Sequence, residues 1–349
     1  MKIIHTFVKT KNGTPLNEYN LYCMLLSVLL AKKHYVRVEL YCDKETYDIV
    51  KEIGIPYTDF HVNELDGLDV ATFSIPKLKV YSVQNEPYLH IDLDTFLFEK
   101  PKDLDKKTVW GSFPEGSGEY VGFEKNNKNF FTTYMVNAFK IQDKLPEDFL
   151  KHVKFRDIMN MSIFGGYNFG LIAEASKYCL KIYEDNKEYF DSDYYNACII
   201  EQLFIPSAIR YIVNDKIYPR KIDKELFSFF YEKNPTLLHF EGEKFGYPFV
   251  IESNEQELLI KNKVDLFRNI GYNFNGFLHL NGYKDIQDVI FIIKQRIIQE
   301  FSATNQIIKI DNMFNDFGNC EEITKSYRKY LIDQIDNLDA IENKTIRIL

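Results

Sequence analysis

Apolar and polar positions follow two rhythms over the first hundred residues. Ile3 to Val8 is a short β-type run, ended by the turn-forming Lys9-Thr10-Lys11-Asn12-Gly13-Thr14-Pro15. Between Glu18 and Lys33 the apolar residues Leu21, Met24, Leu25, Val28 and Leu29 recur at helical spacing. Val36 to Tyr41 predicts a second strand, Asp43 opens a helix running through Val50, and Tyr57 to Val62 predicts a weaker strand. Pro76 to Asn85 places Leu78, Tyr81 and Ser82 on one face of a short helix, and Tyr88 to Ile91 follows as a strand. Strands alternating with helices predict βαβ units, and so an α/β fold with a mainly parallel sheet flanked by helices.

Further along, Thr108 to Phe113 and Tyr167 to Ala173 predict strands. Residues 114–160 read as irregular and polar, with one helical piece near 126–140. Ala175 to Lys187 and Tyr194 to Ile209 predict helices. After residue 250 the character changes, and Asp285 to Phe301 and Glu321 to Leu338 read as amphipathic helices. The pattern divides the chain into an α/β unit, residues 1–285, and a C-terminal helical appendage, residues 286–349. The apolar stripes of that appendage can pack on the α/β unit, join a homo-oligomer or contact a partner. Lys325-Ser326-Tyr327-Arg328-Lys329-Tyr330 sets cations beside aromatics and raises a peripheral membrane contact as a further option, which the interleaved Asp333, Asp336 and Asp339 weaken.

Charge and cysteine usage narrow the classes. The formal net charge is −8 with no long basic stretch, which argues against a nucleic-acid partner. Five cysteines, odd in number and without Cys-x-x-Cys spacing, fit reduced, buried thiols in a cytoplasmic protein. No run reaches the ~18–20 apolar residues of a transmembrane helix. The apolar run at the N-terminus is too short for a signal peptide and reads as the first strand.

Asp-x-Asp occurs at Asp92-Leu93-Asp94, Asp103-Leu104-Asp105 and Asp191-Ser192-Asp193. The second lies in a charged turn, and in the third Asp191 or Ser192 suits a helix cap. Only the first follows an apolar strand, where ligands of open α/β sheets bind. On extended chain, residues two apart project to one side. Two such carboxylates must be solvated, share a proton or hold a cation. Oxygen ligands suit Mg²⁺ or Mn²⁺, and a site with one or two carboxylates shares the ion with substrate phosphates. A solvated turn with capping aspartates is the plainer alternative. The chain has no Gly-rich phosphate loop at Gly116-Ser117-Gly118, since no Gly-Lys-Ser/Thr follows. His5 and His90 read as packed strand residues, His90 with a backbone partner, and His34, His61 and His152 as surface or turn residues.

Tyr88-Leu89-His90-Ile91-Asp92-Leu93-Asp94-Thr95-Phe96-Leu97-Phe98 resembles the Asp-x-Asp segment of nucleotide-sugar glycosyltransferases of the GT-A fold. Other segments agree in order. Leu78 to Pro87 resembles the helix that carries a basic residue toward the diphosphate, with Lys79 at the matching position. Gly165 to Glu174 resembles the Asn-x-Gly strand lining the donor-sugar pocket, which implies Asn168 and Gly170. Ala197 to Ile209 resembles the helix whose acidic residue and Gln face the sugar, which implies Glu201 and Gln202. The likeness covers about residues 1–285 and points to glycosyltransferase family 8 and a related bacterial group. Such enzymes complete the ion's shell with a late His, followed by a Gly and a Lys near the phosphates. Here either His239 with Gly242 and Lys244, or His279 with Gly282 and Lys284, matches that set. Added nitrogen shifts the preference from Mg²⁺ toward Mn²⁺. The family 8 pattern continues to a Pro-Trp pair that this chain lacks.

The resemblance thus implies transfer of a sugar from a nucleoside diphosphate donor, a UDP-hexose, to a glycan, lipid-linked or protein acceptor. Asp94, a His and the diphosphate would share the metal, with Asp92 on the ribose or a metal-bound water. Glu201 is the base candidate for an inverting route, whereas a retaining route needs no strong base. Two rivals stand beside this reading: a sugar-1-phosphate nucleotidyltransferase, and a non-catalytic glycan- or partner-binding protein on the same scaffold.

Overall fold

The computed structural model describes residues 1–9, 16–68, 73–101, 106, 108–114, 138, 140–153, 158–192, 194–215, 226–229, 271–274, 277–280 and 286–315. The N-terminal half follows the expected alternation: β1 (Lys2–Phe7), α1 (Glu18–Lys32), β2 (Val38–Cys42), α2 (Lys44–Ile53), β3 (Asp59–His61), α3 (Ser74–Ser82), β4 (Tyr88–Ile91) and β5 (Thr95–Leu97). Caps set several ends. Asn17 accepts from the Asn20 N–H at the start of α1, and Asp43 accepts from the Thr46 N–H at the start of α2. Gly54 closes α2 with φ of 83°, a backbone angle that favours glycine.

The second half adds β6 (Val109–Gly111), β7 (Phe113–Pro114), β8 (Met159–Asn160), β9 (Ile163–Gly166), α4 (Phe169–Asp185), α5 (Tyr194–Gln202), α6 (Phe204–Asp215), β10 (Phe227–Phe229), β11 (Gly271–Phe274), β12 (Phe277–Leu280), α7 (Ile286–Phe301) and α8 (Thr304–Asn315). Among the described residues the main sheet has seven strands in the order β10-β6-β9-β4-β1-β2-β3. All neighbours pair in parallel except β9, which runs antiparallel to both β4 and β6. This is the mainly parallel α/β sheet that the strand–helix alternation predicts.

Helices cover both faces. On one, α1, α7 and α8 bury Leu21, Leu25, Val28, Ile293, Ile297 and Ile310 against Ile3, Leu40 and Leu89. On the other, α3 to α6 bury Leu78, Ile172, Ile199 and Phe204 against Ile4, Tyr88 and Phe164. Polar contacts tie α7 and α8 to α1. The Lys294 ammonium lies 2.5 Å from Asp311 and 4.8 Å above the Tyr22 ring, and the Tyr22 hydroxyl donates to Asp311 at 2.5 Å.

Three readings of the sequence change here. Tyr167 to Ala173 is not a strand: Asn168 ends a turn, and Phe169 begins the helix expected only from Ala175. The slot beside β4 belongs instead to Ile163–Gly166, where a Cβ on Gly165 would stand 2.3 Å from the Tyr88 carbonyl oxygen. Glycine is what lets these two backbones meet. Tyr194 to Ile209 forms two helices, because Pro206 lacks an N–H and its ring collides with the carbonyl four residues back, at Gln202, where α5 ends. Asp191 and Ser192 bond other partners, Asp191 accepting from the Tyr183 hydroxyl and Ser192, which is exposed, donating to the Tyr189 carbonyl. The segment 116–122, most of the piece near 126–140 and the expected helix 321–338 lie outside the described residues.

Ile293 is fully buried between α7 and the rest of its core. Ile293→Ala should therefore lower the unfolding free energy by about 2–4 kcal/mol in urea denaturation, the cost of lost transfer energy plus a cavity.

Candidate functional site

At Ile91 the chain leaves the main sheet. Asp92-Leu93-Asp94 is a tight corner, closed by the Thr95 N–H donating to the Asp92 carbonyl at 2.9 Å. The Asp92 N–H donates to Ser162 O at 2.9 Å, which anchors the corner to the chain entering β9. Thr95 then enters a second, three-stranded sheet of order β11-β12-β5. The two aspartates thus sit on a turn between sheets and not on extended chain, so the two-residue alternation of a strand does not orient them. The geometric reason is the hydrogen bond from residue four to residue one of the turn.

Beneath the corner lies a buried charged cluster. Lys77 reaches up from α3, with its ammonium 2.6 Å from Oδ1 of Asp92 and 3.3 Å from Oε1 of Glu201 on α5. The Lys77 and Glu201 side chains are 10% and 1% exposed, so water does little to screen this group. Tyr81, one turn after Lys77 on α3, holds its hydroxyl 3.2 Å from Nδ1 of His90 and donates to Glu201 at 3.5 Å. His90 is fully buried, its Nε2 lies 3.1 Å from the Thr6 hydroxyl, and its partners are side chains where a backbone partner was expected.

The electrostatics follow from burial. Desolvation is the largest influence on Glu201 and Asp92 adds repulsion; against these Lys77 favours the anion, and the Glu201 carboxyl ends at about 7. Burial pulls the Lys77 ammonium down, but Asp92 and Glu201 outweigh it and lift the group above its ordinary value. His90 is held neutral, first by burial and then by Lys77.

The expected site residues fall into three groups. The structure brings Asp92 and Glu201 together through Lys77, and places Asp94 on the same corner. Lys79 also lies on α3, half-buried, but it is Lys77 that meets the carboxylates. Lys77 was legible in principle: Tyr81 faces inward, and Lys77 lies four residues before it on the same helical face. Asn168 and Gly170 stand at the start of α4, where a Cβ on Gly170 would meet open space, and Gln202 is the last residue of α5. His279 lies on β12, whose register pairs it with Thr95, the residue after Asp94. His239, Gly242, Lys244, Gly282 and Lys284 lie outside the described residues. Among the described residues no three His, Cys, Asp or Glu side chains gather as a ready metal cage.

Residues 1–261 match the Family of unknown function (DUF6734). The chain belongs to that family. No curated protein matches the sequence. Among solved structures, the chain is similar to the galactosyltransferase LgtC in complex with donor and acceptor sugar analogs. That match has 10% identity and a TM-score of 0.40, over 89% of this chain and 96% of that one. It is also similar to an active-site mutant of LgtC, at 9% identity and a TM-score of 0.34, over 58% of this chain and 70% of that one. Overlap at these scores carries no functional weight, so any assignment of chemistry to this DUF6734 chain stands on its own side chains. Among the described residues no helix is long and apolar enough to cross a membrane. None of the four described cysteines forms a disulfide, and all four are buried.

A raised Glu201 carboxyl has a sign that can be measured. Between its ordinary value of 4.5 and its folded value of about 7, the unfolded chain ionises while the folded chain keeps the proton. Its contribution to stability is thus full below pH 4.5 and is lost as pH rises through about 7. Unfolding free energies of the wild type and Glu201→Gln, compared in urea across this window, should differ by an amount that drifts on the order of 3 kcal/mol against the wild type.

Proposed function

We propose that this protein is a metal-dependent glycosyltransferase of the GT-A type that takes a nucleoside diphosphate sugar, a UDP-hexose, as donor. The observation that carries the reading is the carboxylate corner Asp92-Leu93-Asp94 at the carboxyl end of the central strand β4, with a buried cation beneath it and His279 on the adjoining strand. Ligands of α/β sheets bind at this end.

The donor set fits a divalent cation of the Mn²⁺ or Mg²⁺ type. Such an ion needs only one or two carboxylates when substrate phosphates complete its shell, so a ready cage of three side chains is not required. Asp94 and His279 would hold it directly. Asp92 is shared with Lys77, and serves the ribose or a water in the ion's shell. When bound, the cation neutralises charge on the departing diphosphate.

The chain's own groups have defined tasks. Lys77 keeps two neighbouring carboxylates from repelling each other and fixes Asp92 at the corner. Glu201, buried under Lys77, pairs with it once ionised, which sets it apart from a base that must reach an acceptor hydroxyl. Asn168 and Gln202, at the ends of α4 and α5, are the polar groups offered to the sugar. Lys79, together with Lys284 or Lys244, is offered to the diphosphate, and the backbone at Gly170 and Gly282 to close approach.

Titration calorimetry of UDP with and without Mn²⁺ tests the cation. Affinity should appear only with Mn²⁺, and equal binding in EDTA would remove the metal from the reading. Metal-dependent hydrolysis of UDP-hexoses separates catalysis from simple binding. Asp94→Asn should cut that turnover at least about a hundredfold with the melting temperature unchanged, because removing charge stabilisation of a leaving group costs about 3 kcal/mol or more. Near-normal turnover of this variant with saturating Mn²⁺ would exclude the carboxylate corner as the site.

A further inference from the structure

A second buried polar chain approaches the same corner from the other face of the sheet. Ser27 of α1 donates from Oγ to the Thr95 carbonyl at 2.7 Å. Ser27 Oγ also lies 3.2 Å from Nε2 of His5 on β1, and Nδ1 of His5 lies 2.8 Å from the Tyr57 hydroxyl. His5, Ser27 and Thr95 are at most 1% exposed and Tyr57 is 8% exposed.

The direction of every proton follows. A carbonyl only accepts, so the single Ser27 proton points at Thr95. The contact between Ser27 and His5 therefore requires the proton on Nε2. Burial draws the imidazole down to about 3 and keeps it neutral, so Nδ1 is bare and accepts from the Tyr57 O–H. The donors run one way, from Tyr57 through His5 and Ser27 to Thr95. The residue at the end of this chain is the one whose N–H closes the turn onto Asp92. Thr95 is thus held at both of the peptide groups that flank it, by the relay at its carbonyl and by the turn at its amide.

We propose that Tyr57, His5 and Ser27 are positioning residues that hold the Asp92–Thr95 turn closed, and so hold Asp94 ready for a divalent cation. The cation half of this statement rests on the glycosyltransferase reading; the turn half does not. A buried acceptor left without its donor costs the turn a factor of about ten in its closed population.

The test uses the full chain, with Ser27→Ala and the volume-conserving Tyr57→Phe. Imidazole ¹⁵N shifts should show His5 protonated at Nε2 and bare at Nδ1 between about pH 5 and 8. Ser27→Ala should speed hydrogen exchange of the Thr95 amide about tenfold and weaken binding of Mn²⁺ alone by a similar factor. Amides of α2 should keep their protection, which separates a loosened turn from a destabilised fold. If Ser27→Ala does not fold, Tyr57→Phe carries the same measurements with a smaller acceleration at Thr95. A proton on Nδ1, or unchanged Thr95 exchange in a folded variant, would overturn the relay. Faster exchange with undiminished Mn²⁺ affinity would overturn its role in positioning Asp94. A wild type that takes no Mn²⁺, while Thr95 exchange still responds to Ser27→Ala, would uphold the relay and sink the cation reading.

Discussion

Lys77 stands between Asp92 and Glu201, a buried ammonium that could not remain charged without a carboxylate beside it. The requirement that a buried ammonium be matched fixes much else. It draws α5 toward α3, since Glu201 must reach the cation. It draws the end of β4 down onto α3, since Asp92 must do the same. Tyr81 and His90 fill the polar space left between them. Removing Lys77 would leave two carboxylates facing each other without their cation, which is costlier than the net value of the intact cluster. The two faces of the sheet thus meet at one corner. The Lys77 cluster holds it from the α3 side and the Ser27 relay holds it from the α1 side.

Much of the architecture was legible because it is written in short-range rhythm. Short β-type runs pointed to β1, β2 and β4, and helical spacing to α1, α2, α3 and α7, within a few residues. The misreading at 167–173 has a physical cause. Phe169, Leu171 and Ile172 suit a strand as well as a helix, and the competing strand at Ile163–Gly166 is short and ends in two glycines with positive φ. The break after Gln202 was readable from Pro206, whose ring acts four residues upstream.

The candidate site divides along the same line. Asp92 and Asp94 stand out in the sequence because theirs alone of the three Asp-x-Asp pairs follows an apolar strand. Their turn conformation does not, since it depends on strand β12 arriving from far along the chain. Choosing Lys77 over Lys79 needs the helix face to be known to one residue. The relay from Tyr57 to Thr95 joins residues from four separate segments, and each of its side chains alone reads as an ordinary core position.

The pairing of β5 with β12 also orders events in time. When Thr95–Leu97 leaves the ribosome, its sheet partner Phe277–Leu280 has not yet been made. The strands β1, β2, β3 and β4 come from contiguous sequence, and the Lys77 side of the corner is complete once Glu201 of α5 has followed. The outer sheet cannot form until the last third of the chain has emerged. The helices α7 and α8, which cover the α1 face, follow β12 along the chain, so translation delays this acidic corner and the covering of that face together.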